Sequence, residues 1–238
     1  MDTIRLIVLD LDGTLTQHKT KLEAPNRAVL DRLAERYKLL MAGAGQCLRI
    51  WNQMERYPID IIGNYGMQYA VYRENTGRLE LLRDETIPCV RTEIEKRAAG
   101  LRAMYGLMNF RGESVEYHPS GCITFPLLGT EAFPAEKLAF DPDRRKRRAM
   151  IREVRKAFFD YNVFVGGSSS FDMAPKPYNK YYALRLYCQE HHYLPGEVVF
   201  IGDDYGPEGN DASVYESEFP FIPVDDYRDF PKAVRPLL

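Results

Sequence analysis

The chain has 238 residues, 45% of them hydrophobic and 28% charged, with a net charge of -2. That length supports one large domain, or a core with a smaller companion, of ordinary globular composition. The near-neutral balance excludes a general nucleic-acid binder, which needs a basic surface, and no apolar run approaches the roughly 20 residues of a membrane span.

The first element is "IRLIVLD", a continuous apolar run of the kind a strand shows when both its faces are covered. "NRAVLDRLAERY" places Val29, Leu30 and Leu33 at helical spacing, "KLLMAGAG" reads as a second buried strand, "LRIWNQMER" as a helix and "IDIIGN" as a third strand. This alternation predicts a parallel α/β sheet. Near residue 64 the rhythm changes. "GMQYAVYRENTGRLELL" predicts paired strands around Asn75-Thr76-Gly77, "RTEIEKRAAGLRAMYG" a helix, and "ESVEYHPSGCITFPLLG" a hairpin turning at Pro119-Ser120-Gly121. "DPDRRKRRAMIREVRKAFFDY" predicts a long basic helix with Pro142 in its first turn, and "NVFVGGSSSFDMAP" further strand. The first rhythm then returns with the helix "NKYYALRLYCQEHH", the strand "EVVFIGDD" and the short strand "FPFIPV". The expected layout is a Rossmann-like α/β core over residues 1–79 and 174–238, split by an inserted α+β unit over 80–173. The basic run "DRRKRR" reads as a solvated helix face.

Cys47, Cys89, Cys122 and Cys188 are scattered without a CxxC pair, and the N-terminal stretch lacks a signal-peptide layout. Both suggest reduced thiols and a cytoplasmic protein.

Two of the predicted strands end in acids, Asp10 and Asp12 after the first, Asp203 and Asp204 after "VVFIG", with Asp211 close behind. Open parallel sheets bind ligands at the carboxyl ends of their strands. Carboxylates gathered there repel one another, so they imply a hard cation, most simply Mg²⁺. Asp12 falls where the strand must turn, which allows it a role different from that of Asp10.

"DLDGT" at 10–14, Lys180 at a helix start and "GDDYGPEGND" at 202–211 resemble the haloacid dehalogenase (HAD) superfamily over the whole chain, with the insertion matching its larger class of cap domain. "AGAGQCLRIWNQM", "IDIIGNYGMQYAVY", "RGESVEY", "SFDMAPKPYNKYYAL" and "FIGDDYGPEGND" are further similar to eukaryotic-type phosphomannomutases. The resemblance implies Asp10 as a nucleophile that forms an aspartyl-phosphate, Asp12 as the proton carrier, and Lys180 as a neutralising cation. It implies Mg²⁺ held by Asp10, the main-chain carbonyl of Asp12, and Asp203; Asp211 either joins the metal set through water or orients Lys180. Asp204 is expected outside the ligand set.

The sequence also departs from the pattern. Ala44 stands where the family places a Ser or Thr for the phosphoryl group, so the N–H groups of Gly43, Ala44 and Gly45 are the expected phosphate donors. Arg111 matches one of three cap arginines of the phosphomannomutases; the other two positions fall near Pro119 and Thr130, neither basic. Ser170 and Asp172 match sugar-contacting positions, and Asn179 replaces an Asp before the lysine. The expected activity is Mg²⁺-dependent hydrolysis of a small phosphorylated metabolite, a sugar phosphate. A phosphomannomutase-like phosphomutase and a weakened phospho-ligand-binding protein are the alternatives. The oligomeric state is open.

Overall fold

A computed structural model describes residues 3–238, which form two compact units. The first holds the chain up to Glu85 with residues 179–207 and 211–238, the second residues 86–178 and 208–210. No helix among the described residues is long and apolar enough to cross a membrane.

The first unit opens with β1 (Leu6–Leu9), α1 (Ala24–Ala34, with Pro25 in its first turn), β2 (Lys38–Ala42), α2 (Cys47–Gln53) and β3 (Asp60–Gly63). The hairpin β4 (Gln68–Arg73) and β5 (Arg78–Asp84) follows, and belongs to the same sheet. The second unit contributes α3 (Arg91–Tyr105), β6 (Glu116–Tyr117), β7 (Ile123–Pro126), α4 (Pro134–Phe140), α5 (Arg145–Ala157), β8 (Tyr161–Phe164) and β9 (Ser170–Pro175). The chain then returns to the first unit with α6 (Lys180–His191), β10 (Val198–Gly202), α7 (Ala212–Tyr215), β11 (Phe221–Pro223) and α8 (Phe230–Ala233).

The first unit is built on a seven-stranded sheet in the order β11-β10-β1-β2-β3-β4-β5, parallel from β11 to β3 and antiparallel over the last two strands. This is the mixed α/β architecture that the alternating elements predict. Side chains alternate across a strand, which explains the unbroken apolar run of β1. Ile7 and Leu9 join a core with Leu30, Leu33, Ile50 and Phe230 on one face, while Leu6 and Val8 join Ala183, Leu184 and Tyr187 of α6 on the other. Every residue of β1 is therefore buried.

The second unit packs α3 and α5 on one face of a four-stranded antiparallel sheet, β6-β7-β9-β8, around Phe125, Phe158, Phe171 and Met173. The sequence places its limits at 79/80 and 173/174. Both of those cuts fall inside strands, because β5 pairs with β4 as far as Asp84 and β9 pairs with β8 as far as Pro175. The expected helix from Pro142 also starts later, at Arg145. Asp141 accepts from the Lys146 and Arg147 N–H groups, so the Asp141 carboxylate supplies the helix start and Pro142 lies in the turn before it. One residue of the basic run is not solvated at all. Arg147 is 1% exposed, ion-paired with Asp141 at 2.9 Å, and donates to the carbonyls of Gly166, Gly167 and Ser170. The four cysteines are free thiols, three of them buried.

Candidate active site

Register brings the acids together. Leu9 pairs with Ile201 of β10 on one side and Met41 of β2 on the other, so Asp10, Gly202 and Ala42 sit level at the carboxyl ends of three adjacent parallel strands. Strand alternation puts Asp10 on the α6 side, the side of Leu6 and Val8. On α6, Lys180, Ala183, Leu184, Tyr187 and Cys188 are all buried, an i, i+3, i+4, i+7, i+8 stripe. Lys180 is thus the first position of an apolar stripe that happens to meet the end of β1. Asn179 caps this helix, its side chain accepting from the Tyr182 N–H at 2.7 Å.

The Lys180 ammonium is 1% exposed and donates to both Asp10 Oδ1 and Asp211 Oδ1, each at 2.6 Å. Asp211 precedes α7 and is fully buried, and its Oδ2 accepts the Asp204 N–H at 3.1 Å. The structure joins Asp211 to Lys180 directly, and its side chain also stands in a cluster with Asp10 and Asp203. Each of the three offers one oxygen, all within 4.8 Å of one another. Thr14 Oγ1 lies 3.3 Å from Asp10 Oδ2 and 3.1 Å from Asp203 Oδ1, linking the two strand ends. Thr14 thus serves Asp10 and Asp203. Gly13 is required twice, by its φ of +100° and because a Cβ there would lie 2.2 Å from Asp203 Oδ2.

Asp12 stands apart. Its Oδ1 accepts from the Lys19 N–H at 2.7 Å and from Gln53 Nε2 at 2.6 Å, while Oδ2 lies 3.6 Å from Arg49 Nη2. Its carboxylate is outside the three-acid cluster, so any share it has in a metal site falls to its main-chain carbonyl. The two acids of "DLDGT" are separated by the turn between them.

Three carboxylates face one ammonium here. Burial and the charges of Asp10 and Asp211 push Asp203 up to about 8, and burial raises Asp211 to about 6, against the Lys180 charge. Burial alone would lower Lys180, but Asp10 and Asp211 outweigh it and hold the ammonium above its usual range. An excess of hard oxygen donors with unrelieved negative charge fits a divalent cation such as Mg²⁺. A carboxyl raised on folding binds its proton more tightly in the native state, so native stability falls as pH rises from about 4 to about 8. Mg²⁺ is expected to reverse that loss. At a hundred times its Kd it adds about 2.7 kcal/mol, roughly 5–10 °C in a thermal melt. The gain should be larger at pH 8 than at pH 5, where protons compete; a Mg²⁺ effect equal at both pH values would exclude these acids as the site.

The loop after β2 differs from expectation in one respect. The Gly43 N–H donates to the Ile62 carbonyl at 2.9 Å, because the β2–β3 ladder continues one residue past the strand. It is therefore spent, and only the Ala44 and Gly45 N–H groups make no protein hydrogen bond among the described residues. Contacts from β3 and β4 fix the loop: Asn64 N–H donates to the Gly45 carbonyl at 2.8 Å, and Gln68 Oε1 accepts the Cys47 N–H at 3.0 Å.

In the second unit, Asp172 on β9 faces Thr124 on β7, whose Oγ1 donates to Asp172 Oδ1 at 3.0 Å. That leaves the Thr124 oxygen to accept from His118 Nε2 at 3.1 Å, which places a hydrogen on that nitrogen. Ser170 Oγ bonds the Gly166 carbonyl at 3.2 Å. Arg111 is ion-paired with Glu136 at 2.9 Å and lies over the Phe133 ring. The sequence reading missed the Thr14 bridge, the Gln53–Asp12 bond and the His118–Thr124–Asp172 chain.

A parallel sheet with acids at the ends of two neighbouring strands, a helix-borne lysine between them and an α+β unit inserted in the chain defines a phosphoryl-transfer protein of the HAD superfamily. Solved structures agree on the fold. The IMP-bound, N-terminally truncated IMP-nucleotidase of Plasmodium falciparum has a TM-score of 0.72 at 12% identity, covering 99% of this chain and 68% of that one. BT1666 of Bacteroides thetaiotaomicron, described among phosphatases of the HAD enzyme superfamily, has a TM-score of 0.63 at 15% identity, covering 99% and 95%. Among curated proteins, the phosphomannomutase of Triticum aestivum is 26% identical over 231 residues, 90% of this chain and 86% of that protein. That of Encephalitozoon cuniculi is 25% identical over 249 residues, 98% and 95%. The family model for eukaryotic phosphomannomutase matches residues 103–222, just over half of the chain. The protein belongs to the eukaryotic phosphomannomutase family.

Proposed function

We propose that the protein is a Mg²⁺-dependent phosphohydrolase that acts on a small phosphorylated metabolite, a sugar phosphate, through an aspartyl-phosphate on Asp10. The observation that carries this reading is the buried Asp10 carboxylate, with Oδ1 tied to Lys180 at 2.6 Å and Oδ2 only weakly engaged by Thr14 at 3.3 Å. Oδ2 is then the attacking oxygen. It bonds to phosphorus as the bond from phosphorus to the ester oxygen breaks, and Asp12 gives the departing oxygen its proton. The Asp12 carboxylate next takes a proton from water, which attacks phosphorus, releases inorganic phosphate and restores Asp10. Because Asp12 Oδ1 already has two donors, Oδ2 is the oxygen that carries the proton. Lys180 keeps its proton throughout and offsets charge on the phosphoryl oxygens. Mg²⁺ would be held by Asp10, Asp203 and the Asp12 carbonyl, with Asp211 in the same acidic cluster, and would supply further neutralisation. The Ala44 and Gly45 N–H groups offer donors to phosphate oxygens. In the second unit, Arg111, Ser170 and Asp172 are the residues assigned to substrate selection.

A second reading, transfer of phosphate between hydroxyls of one sugar, is favoured by the relatives, which are named phosphomannomutases along most of their length. Against it, Arg111 already has Glu136 as its counter-ion and no basic residue stands at Pro119 or Thr130, so a second phosphate has few cations to grip it. A panel of sugar phosphates with Mg²⁺, with and without hexose bisphosphate, tests the assignment. Free phosphate without added bisphosphate is the expected result. An isomeric sugar phosphate formed only with bisphosphate would make the protein a mutase; phosphate binding with no product would make it a binding protein.

A further inference from the structure

We infer that Arg49 is a phosphoryl-binding residue, its guanidinium taking the part of the hydroxyl that the loop 43–45 lacks. The inference rests on the phosphoryl-transfer reading above and adds to it a residue of α2.

Three observations converge on this side chain. First, the loop is shaped to it. A Cβ on Gly45 would lie 2.2 Å from Arg49 Nη2, 2.4 Å from Nε and 2.7 Å from Cζ, so the guanidinium rests on the bare Cα of Gly45. The φ of Gly45 is not in the left-handed region, so glycine serves close approach here and not an unusual backbone. Second, the group reaches the reacting side of Asp12 without holding it in place. Asp12 Oδ1 is fixed by Lys19 and Gln53, whereas the Arg49 contact is to Oδ2 and, at 3.6 Å, is longer than a hydrogen bond. Third, the guanidinium is anchored but not saturated. Its Nη1 donates to Gln53 Oε1 at 2.9 Å, and Gln53 in turn donates to Asp12, so one side chain positions both. Nε and the remaining Nη hydrogens have no protein acceptor among the described residues, and the side chain is 46% exposed.

An arginine presents paired N–H groups that match two oxygens of a tetrahedral phosphoryl group. Next to it, the Ala44 and Gly45 N–H groups are likewise without protein acceptors. A guanidinium on the Gly45 Cα beside Asp12 Oδ2 is therefore placed for an anion whose leaving oxygen is served by Asp12. What sets Arg49 apart from a plain solvated arginine on α2 is the combination of its place on Gly45, its shared Gln53 and its approach to Asp12 Oδ2.

Inorganic phosphate titrated calorimetrically into the intact protein with Mg²⁺ tests this. Arg49→Ala is expected to weaken phosphate binding about 10- to 100-fold, the worth of a charge-assisted hydrogen bond, and to lower kcat/KM by a similar factor. Arg49→Lys should fall between the two. Adding Ala44→Ser should restore part of the affinity in Arg49→Ala while adding little to the parent protein, as two groups sharing one role must. Because Arg49 is half-exposed, these variants are expected to keep the parental melting temperature. Unchanged phosphate affinity in Arg49→Ala, or a shift only in the pH profile of turnover, would overturn the inference and leave Arg49 as a partner of Asp12. Absence of phosphate binding by the parent protein would instead overturn the phosphoryl-transfer reading itself.

Discussion

Asp10→Asn is expected to lower turnover by roughly 10⁴-fold or more, the scale on which loss of a catalytic nucleophile registers. The amide has the shape of the carboxylate and keeps an oxygen for the Lys180 ammonium now 2.6 Å away, so the side chain stays in place while its anionic oxygen is lost. Folding is not the reason for the loss. Leu6 to Leu9 carry the burial of β1, and Asp10 contributes charge to a cluster already in excess. A melting temperature within a few degrees of the parent's, together with no acid-stable phosphoprotein after quenching, is the expected pair of measurements. Phosphatase activity that survives in Asp10→Asn and disappears with a metal chelator would move the nucleophile to another residue.

Lys180→Met should cost both stability and activity, and the two can be separated. Among the described residues Lys180 is the one cation bonded to the acids of this cluster, and removing one partner of a buried ion pair costs about 3–5 kcal/mol because it strands the other charge. For a chain of this size that is a fall of roughly 6–20 °C in the melting temperature. The loss should be smallest near pH 5, where Asp203 and Asp211, raised to about 8 and about 6, hold their protons, and greatest near pH 8. Replacing Asp211 with Asn as well should return part of the stability, since one of the two carboxylates that lose Lys180 is gone while Asp10 remains. It should not return turnover, because the phosphoryl group would still lack its cation. If the double variant regained activity, Lys180 would be a structural counter-ion to Asp211 alone.

The elements of the core were legible because each follows from a local period. The apolar runs at 6–9 and 198–202 are buried on both faces, and the stripe from Ala183 to Cys188 has helical spacing. Errors arose where a side chain or a pairing partner distant in sequence decided the outcome. Pro142 gave way to Asp141 at the start of α5, the β4–β5 hairpin joined the main sheet, and Arg147 was drawn inward by Asp141 and three carbonyls.

The site divides in the same way. From sequence alone, Asp10 and Asp203 stand out as acids at the carboxyl ends of buried strands, where open parallel sheets bind their ligands. Strand order decided that those ends are neighbours, because β10 lies beside β1 although nearly the whole chain separates them. Tertiary packing alone seated Lys180 between Asp10 and Asp211, turned Asp12 away toward Lys19 and Gln53, spent the Gly43 N–H on Ile62, and laid Arg49 on Gly45. Strand and helix periods are set by the backbone of each segment. Which hydrogen-bond partners a charged group finds depends on what the rest of the fold brings within about 3 Å of it, and no local pattern encodes that.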